Sequence, residues 1–133
     1  KECFYTVPEG LKILIVDDDE INLFLTKSMI NKILPNGIIF EATNAESAIE
    51  QFQAEKPNII FMDVQMPEMN GHEATIAIRK LETNSRIPII ALTAGARDEE
   101  INKCFQSGMD DYVSKPAVAD TIEIILAKWL NDN

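Results

Sequence analysis

The sequence predicts an α/β domain, a doubly wound parallel sheet of five strands with five helices over its two faces. Three observations lead there. Short apolar runs alternate with segments whose apolar residues recur near helical spacing. The runs are almost continuously apolar, which marks strands buried on both faces, as parallel strands are. And 133 residues, 46% apolar and 26% charged, suit one domain with a genuine core. Parallel neighbours need crossover connections, and five βα units in succession supply them.

Lys12 to Val16 is the first apolar run, stopped by Asp17-Asp18-Asp19. A helix over Glu20 to Leu34 follows, with Ile21, Phe24, Leu25, Ile30 and Ile33 near helical spacing, closed by Pro35-Asn36-Gly37. Gly37 to Ala42 is the second strand. Thr43-x-x-Glu46 has the form of a capping box for a helix through Phe52, with Ala45, Ala48, Ile49 and Phe52 inward. Asn58 to Met62 is a very apolar third strand that ends at Asp63. A loop, Val64 to Gly71, leads into a helix that runs to about Leu81. Ile87 to Leu92 is the fourth strand, ending at Thr93. The helix from about Arg97 to Gln106 stops at Ser107-Gly108, a C-terminal cap. Tyr112 and Val113 lie in a short fifth strand that ends near Ser114-Lys115-Pro116. The last helix, about Val118 to Leu130, is expected to bury Val118, Ile122, Ile125, Leu126 and Trp129. Residues 1–10 read as an N-terminal extension or linker, and 11–131 as the domain.

Charge and composition exclude several functions. Twelve basic against twenty-two acidic residues give a net charge of −10. Direct nucleic-acid binding needs a basic stripe, and no cluster of Lys and Arg exists. No apolar run approaches the roughly 20 residues of a membrane span, so no membrane contact is expected and the domain reads as cytoplasmic. Cys3 and Cys104 match no metal spacing and read as free thiols, Cys104 packed on an apolar helix face. The single histidine, His72, rules out a multi-histidine metal site and reads as an exposed helix residue. Asp110 and Asp111 read as loop carboxylates.

The chemistry gathers at strand ends. In open α/β sheets, ligands bind outside the carboxyl ends of the strands. Those ends carry Asp17-Asp18-Asp19, Asp63, Thr93 and Lys115. Two carboxylates about 4 Å apart repel by roughly 1 kcal/mol in water and about 4 kcal/mol at an effective dielectric near 20. Such a group needs a counter-ion. Oxygen ligands without His or Cys suit a hard cation such as Mg²⁺, which binds one or two carboxylates plus a phosphate. A hydroxyl and an ammonium facing the same point can hold the other oxygens of a phosphoryl group. A carboxylate at the centre can itself be the nucleophile.

Four blocks resemble response-regulator receiver domains. They are Ile13 to Asn22, Phe61 to Gly71, Ile89 to Ala94 and Asp111 to Pro116, in the family's order and with its approximate separations. The resemblance covers about residues 11–131 and implies a flavodoxin-like sheet in the order 2-1-3-4-5. It implies that Asp63 accepts a phosphoryl group from a phosphohistidine. Asp17, Asp18, Asp63 and the backbone carbonyl of Gln65 would then hold Mg²⁺. Thr93 would bond a phosphoryl oxygen, Lys115 would pair with its charge, and Tyr112 would be the rotating aromatic of the output face. The Lys115-Pro116 bond would be cis. The partners implied are a sensor histidine kinase or a histidine phosphotransfer domain, gripping the mouth through the first helix, with Asn22, Lys27 and Asn31 as candidate contacts. The first and third blocks look most like receivers of hybrid sensor histidine kinases. On this reading the chain is a phosphoacceptor, not an enzyme.

Val16 to Ile21 also resembles the Asp-x-Asp motif of haloacid-dehalogenase-type phosphatases, which would make Asp17 the nucleophile. That alternative expects the lysine before the late acidic pair, yet Lys115 follows Asp110-Asp111. It also leaves the loop from Asp63 to Gly71 unexplained. A docking-only receiver is the third alternative.

Overall fold

The computed structural model describes residues 10–83, 86–95 and 97–130. Residues 1–9, including Cys3, and residues 131–133 lie outside the described residues. Five strands, β1 (Lys12–Val16), β2 (Ile38–Ala42), β3 (Ile59–Asp63), β4 (Ile89–Thr93) and β5 (Asp111–Ser114), form one parallel sheet in the order β2-β1-β3-β4-β5. They alternate with α1 (Glu20–Ile33), α2 (Ala45–Glu55), α3 (Gly71–Leu81), α4 (Asp98–Ser107) and α5 (Ala119–Leu130).

The period-2 geometry of a strand splits the core in two. Ile13, Ile15, Phe61, Ile90 and Leu92 point to one face, where Leu23 and Ile30 of α1 and Ile122 and Leu126 of α5 cover them. Leu14, Val16, Ile60, Met62 and Ala91 point to the other, under Ala48 of α2, Ala74 and Ile78 of α3, and Cys104 of α4. Every residue of β3 and β4 is buried, as strands apolar on both faces require.

Three expectations about local faces are corrected. In α1, Ile21, Phe24 and Leu25 are 70%, 66% and 46% exposed, and the buried face is Leu23, Thr26 and Ile30. The helix is apolar on more than one side, so spacing alone could not choose the inner one. In α2 the cap is Asn44, which accepts from Ser47 N at 2.7 Å, so Thr43 does not form the expected box. The reciprocal box occurs at α3, where Asn70 accepts from Glu73 N and Glu73 accepts from Asn70 N. Val118 precedes α5 and is 53% exposed.

Asp110 and Asp111 are not free loop carboxylates. Asp110 accepts from Arg79 Nη2 at 2.7 Å, Arg86 Nη2 and Ile89 N at 2.9 Å, and Arg86 Nε at 3.1 Å. Arg79 also donates to the carbonyls of Gly108 and Ile87. The pair thus ties the end of α3 to the starts of β4 and β5. Asp111 accepts from Trp129 Nε1 at 2.9 Å and Lys128 Nζ at 3.2 Å, which fastens α5 to β5. These bonds hold the Asp111 carboxyl below its ordinary range, although burial alone would raise it.

Candidate functional site

The mouth lies at the carboxyl ends of β1, β3, β4 and β5, beside the reversal of strand order between β1 and β3. Asp17 follows β1 directly, and its N–H donates to Ala42 O at the end of β2. Asp63 and Thr93 are the last residues of β3 and β4. Lys115 follows β5, and its N–H donates to Thr93 O at 2.7 Å. The Lys115-Pro116 bond is cis. Asp17, Asp63 and Thr93 are almost wholly buried, at 1%, 2% and 0% exposed.

The site joins three acids and one base. Asp17, Asp18 and Asp63 each offer a carboxylate oxygen, and these oxygens lie within 4.8 Å of one another. Lys115 Nζ stands 3.0 Å from Asp63 Oδ1 and 3.2 Å from Asp17 Oδ2. Asp63 Oδ1 also accepts from Gln65 N at 3.1 Å, and Asp17 Oδ1 accepts from Asp19 N at 2.9 Å. Asp19 itself caps α1, accepting from Ile21 N and Asn22 N, so it holds the loop in place without entering the acidic group. Burial pushes the Asp63 carboxyl up to about 6, which Lys115 only partly counters and Asp17 reinforces. Burial works against the Lys115 ammonium too, but Asp63 and Asp17 outweigh it and hold its pKa above the ordinary lysine value.

Thr93 Oγ1 is buried and has no hydrogen-bond partner, whereas Asp17 Oδ2 is held by its ion pair with Lys115 at 3.2 Å. An unsatisfied buried hydroxyl costs about 1–3 kcal/mol, so Thr93 points to something the site receives. Three carboxylates facing one ammonium keep a net negative charge, and this all-oxygen donor set fits a hard divalent cation such as Mg²⁺.

The approach to the mouth depends on Gly71. A Cβ there would overlap the Asp63 carbonyl oxygen and come within 2.8 Å of Val64 Cα. Glycine therefore lets α3 start directly against the end of β3, with Gly71 N donating to Val64 O. Tyr112 sits on β5 opposite Ala91, half-buried against the core beneath α4.

The structure brings together the side chains of Asp17, Asp18, Asp63 and Lys115, with Gln65 joined through its N–H, while Thr93 is placed at the end of β4 and Tyr112 lies away on β5. His72 departs from expectation. It is half-buried, with Nε2 at 3.6 Å from Cys104 Sγ across the α3–α4 gap. Nothing in the spacing of residues 72 and 104 could have revealed that pairing.

A family model described as "Response regulator receiver domain" matches residues 13–127. Hybrid signal transduction histidine kinase C of Dictyostelium discoideum is 41% identical over 124 residues, which are 89% of this chain and 10% of that protein. Sensor protein GacS of Pseudomonas syringae pv. syringae is 38% identical over 89% of this chain and 13% of its own length. The chain thus spans about a tenth of these relatives. Among solved structures, the receiver domain of sensor histidine kinase PA1611 from Pseudomonas aeruginosa PAO1, with magnesium in its active-site cleft, superposes with a TM-score of 0.82. It is 31% identical and covers 91% of this chain and 98% of that one. The receiver domain of Saccharomyces cerevisiae Ssk1, co-crystallised with the phosphotransfer protein Ypd1, gives a TM-score of 0.85 at 27% identity over 94% of this chain and 91% of that one. The strand order, the match over residues 13–127 and these relatives agree, and the phosphatase alternative is not favoured: this chain belongs to the response regulator receiver domain family of two-component systems.

Proposed function

We propose that Asp63 is the phosphoacceptor of a Mg²⁺-dependent phosphorelay and that Asp17, Asp18 and the Gln65 carbonyl join it in holding the cation. The observation that carries this reading is Asp63 itself, buried at the mouth with Lys115 Nζ at 3.0 Å and two further carboxylates within 4.8 Å. Mg²⁺ supplies charge neutralisation for the acids and for the incoming phosphoryl oxygens. An Asp63 oxygen forms the new O–P bond as the donor's N–P bond breaks, and the freed imidazole takes a proton from solvent. Lys115, already paired with Asp63, is placed to follow the transferred charge. Thr93 has a buried hydroxyl free to donate to a phosphoryl oxygen, which would satisfy it. The shift of Thr93 would then make room for Tyr112 to turn inward.

The domain acts on no separate substrate; it receives and loses its own phosphoryl group. The donor is a histidine kinase or a histidine phosphotransfer protein, as the Ssk1–Ypd1 complex suggests. Its docking face is the exposed apolar side of α1. Leu25 of that face lines a small crevice with Asp17, Lys115 and Pro116, so the apolar patch runs up to the phosphoacceptor mouth. Asn22 and Lys27 are weaker candidates, because Asn22 is bonded to Asp19 and Lys27 pairs with Glu41 at 2.6 Å. Hybrid signal transduction histidine kinase C of Dictyostelium discoideum supports a place within a hybrid histidine kinase. Among the described residues no helix is long and apolar enough to cross a membrane.

Incubation with acetyl phosphate followed by intact mass tests the reading. One phosphoryl adduct should form with Mg²⁺, fail without it and vanish in Asp63→Asn. An adduct that survives Asp63→Asn and is lost in Asp17→Asn overturns it.

A further inference from the structure

A cleft of about 480 Å³ opens beside Thr93, between the β3–α3 loop and α4, and is lined by Gln65, Asn70, Thr93, Glu100 and Lys103 among others. Among the described residues that line it, Glu100 is the one acid. Glu100 is the third residue of α4, the position from which Glu73 of α3 folds back to accept from the N–H of its cap residue. Glu100 does not fold back. Among the described residues it takes part in no hydrogen bond or ion pair, even with Lys103 on the same wall. Its Oε1 instead lies 3.9 Å from where a Cβ of Gly95 would stand, two residues beyond Thr93, and a glycine leaves that approach open. A half-buried carboxylate with no protein donor takes its hydrogen bonds from water. Water gathered at Glu100 therefore occupies the cleft that has Thr93 as a wall.

We propose that Glu100 is the general base for hydrolysis of the phosphoryl group on Asp63, so that one carboxylate of α4 sets how long the phosphorylated state lasts. This rests on Asp63 being the acceptor and Thr93 a phosphoryl ligand. The acids of the mouth are then already committed: Asp63 carries the phosphoryl group, and Asp17 and Asp18 hold the cation. Asp19 is engaged in capping α1. Glu100 has no such engagement and shares a cleft with Thr93, which places a proton acceptor on the solvent side of the site. The water oxygen forms the new O–P bond as the Asp63 O–P bond breaks, and that electron pair returns to the Asp63 carboxylate. A water proton passes to Glu100, which releases it to solvent as phosphate leaves. Glu100 has no part in acceptance, because no water is deprotonated when Asp63 attacks a phosphodonor.

The test separates the making of the adduct from its loss. The intact chain is phosphorylated with acetyl phosphate and Mg²⁺, freed of donor by desalting, and followed by intact mass. Glu100→Gln keeps the shape of the side chain and removes the base. Its adduct should decay at least about tenfold more slowly than the native one, somewhat under the contribution usual for a positioned base. Formation from acetyl phosphate should stay within about twofold, as for a substitution outside the acceptor chemistry. Glu100→Asp keeps a carboxylate one methylene shorter and should recover part of the native decay rate. Decay in Glu100→Gln that is as fast as native, or faster, overturns the proposal. Formation and decay that slow together also overturn it, since Glu100 would then only prop α4 against the mouth. A native chain that forms no Asp63 adduct sinks the acceptor reading, and this proposal with it.

Discussion

Asp63 is asked to be ionised where ionisation is unfavourable, and the consequence is measurable without any phosphodonor. Its carboxyl, pushed up to about 6 by burial, ionises near 4 once the chain unfolds. Between those values the folded state holds the proton that the unfolded state has lost, so stability falls as pH rises through this window. The penalty is complete above about pH 6 and absent below about pH 4. In chelator, Asp63→Asn should therefore be more stable than the native domain at pH 7.5, by about 1–3 kcal/mol, since each pKa unit is worth about 1.4 kcal/mol and the raised value already includes the opposing pull of Lys115. Urea midpoints at pH 7.5 and pH 4 check this, and an advantage that is equal at both values would sink it. Mg²⁺ should narrow the difference, because it stabilises only the native acid cluster. The residues of this site were legible in sequence because each ends a strand, and strand ends share one rim in a parallel sheet. His72 with Cys104, and Asp110 with Arg79, were not legible. Their partners are 32 and 31 positions away, and only the packing of α3 against its neighbours brings them together.

The elements differ in how clearly they announce themselves. Strands β1, β3 and β4 read well because burial on both faces leaves continuous apolar runs bounded by charge. Helix faces read poorly where an apolar residue serves a surface: Ile21, Phe24 and Leu25 of α1 face outward. The α2 cap was displaced by one residue because Thr43 and Asn44 can both cap, and Asn44 has the backbone position for it. The joint between α3, β4 and β5 depends on Asp110, whose four hydrogen bonds come from Arg79, Arg86 and the β4 backbone. Arg79 is largely buried beside it, whereas the Arg86 side chain is 57% exposed. Removing a partner from a buried pair costs about 3–5 kcal/mol, and an exposed pair about 0–1 kcal/mol. Asp110→Ala should thus lower unfolding free energy by about 3 kcal/mol and Arg86→Ala by less than about 1 kcal/mol, within the ranges just cited. Chemical denaturation of the two variants checks the contrast, and equal losses would show that the exposed guanidinium carries the joint. Gly71→Ala sets a side chain against backbone on the same rim, so the chain itself must shift. The overlap with the Asp63 carbonyl should push α3 away from the mouth, seen as a slower acetyl phosphate reaction at unchanged Mg²⁺ dependence.

At the scale of the whole molecule, the sheet separates two kinds of face. α2, α3 and α4 lie on one side and α1 and α5 on the other, where α1 carries the exposed Ile21, Phe24 and Leu25. With a net charge of −10, little of the surface invites an acidic partner, so an apolar patch at the rim of the mouth is the natural grip for a protein donor. A small phosphodonor needs no such grip. The two routes to Asp63 can therefore be separated by one substitution. Phe24 is 66% exposed, so Phe24→Glu should leave folding and the acetyl phosphate reaction within about twofold of native, as surface changes cost within about 0.5 kcal/mol. Transfer from a phosphorylated histidine phosphotransfer protein should fall by about tenfold or more, because a central aromatic anchor carries about 2 kcal/mol or more of an interface. Parallel time courses with the two donors give the answer. If both reactions slow together, Phe24 supports the mouth and not a partner. If neither slows, the donor approaches from another side of the rim, and the exposed face of α1 serves a different contact.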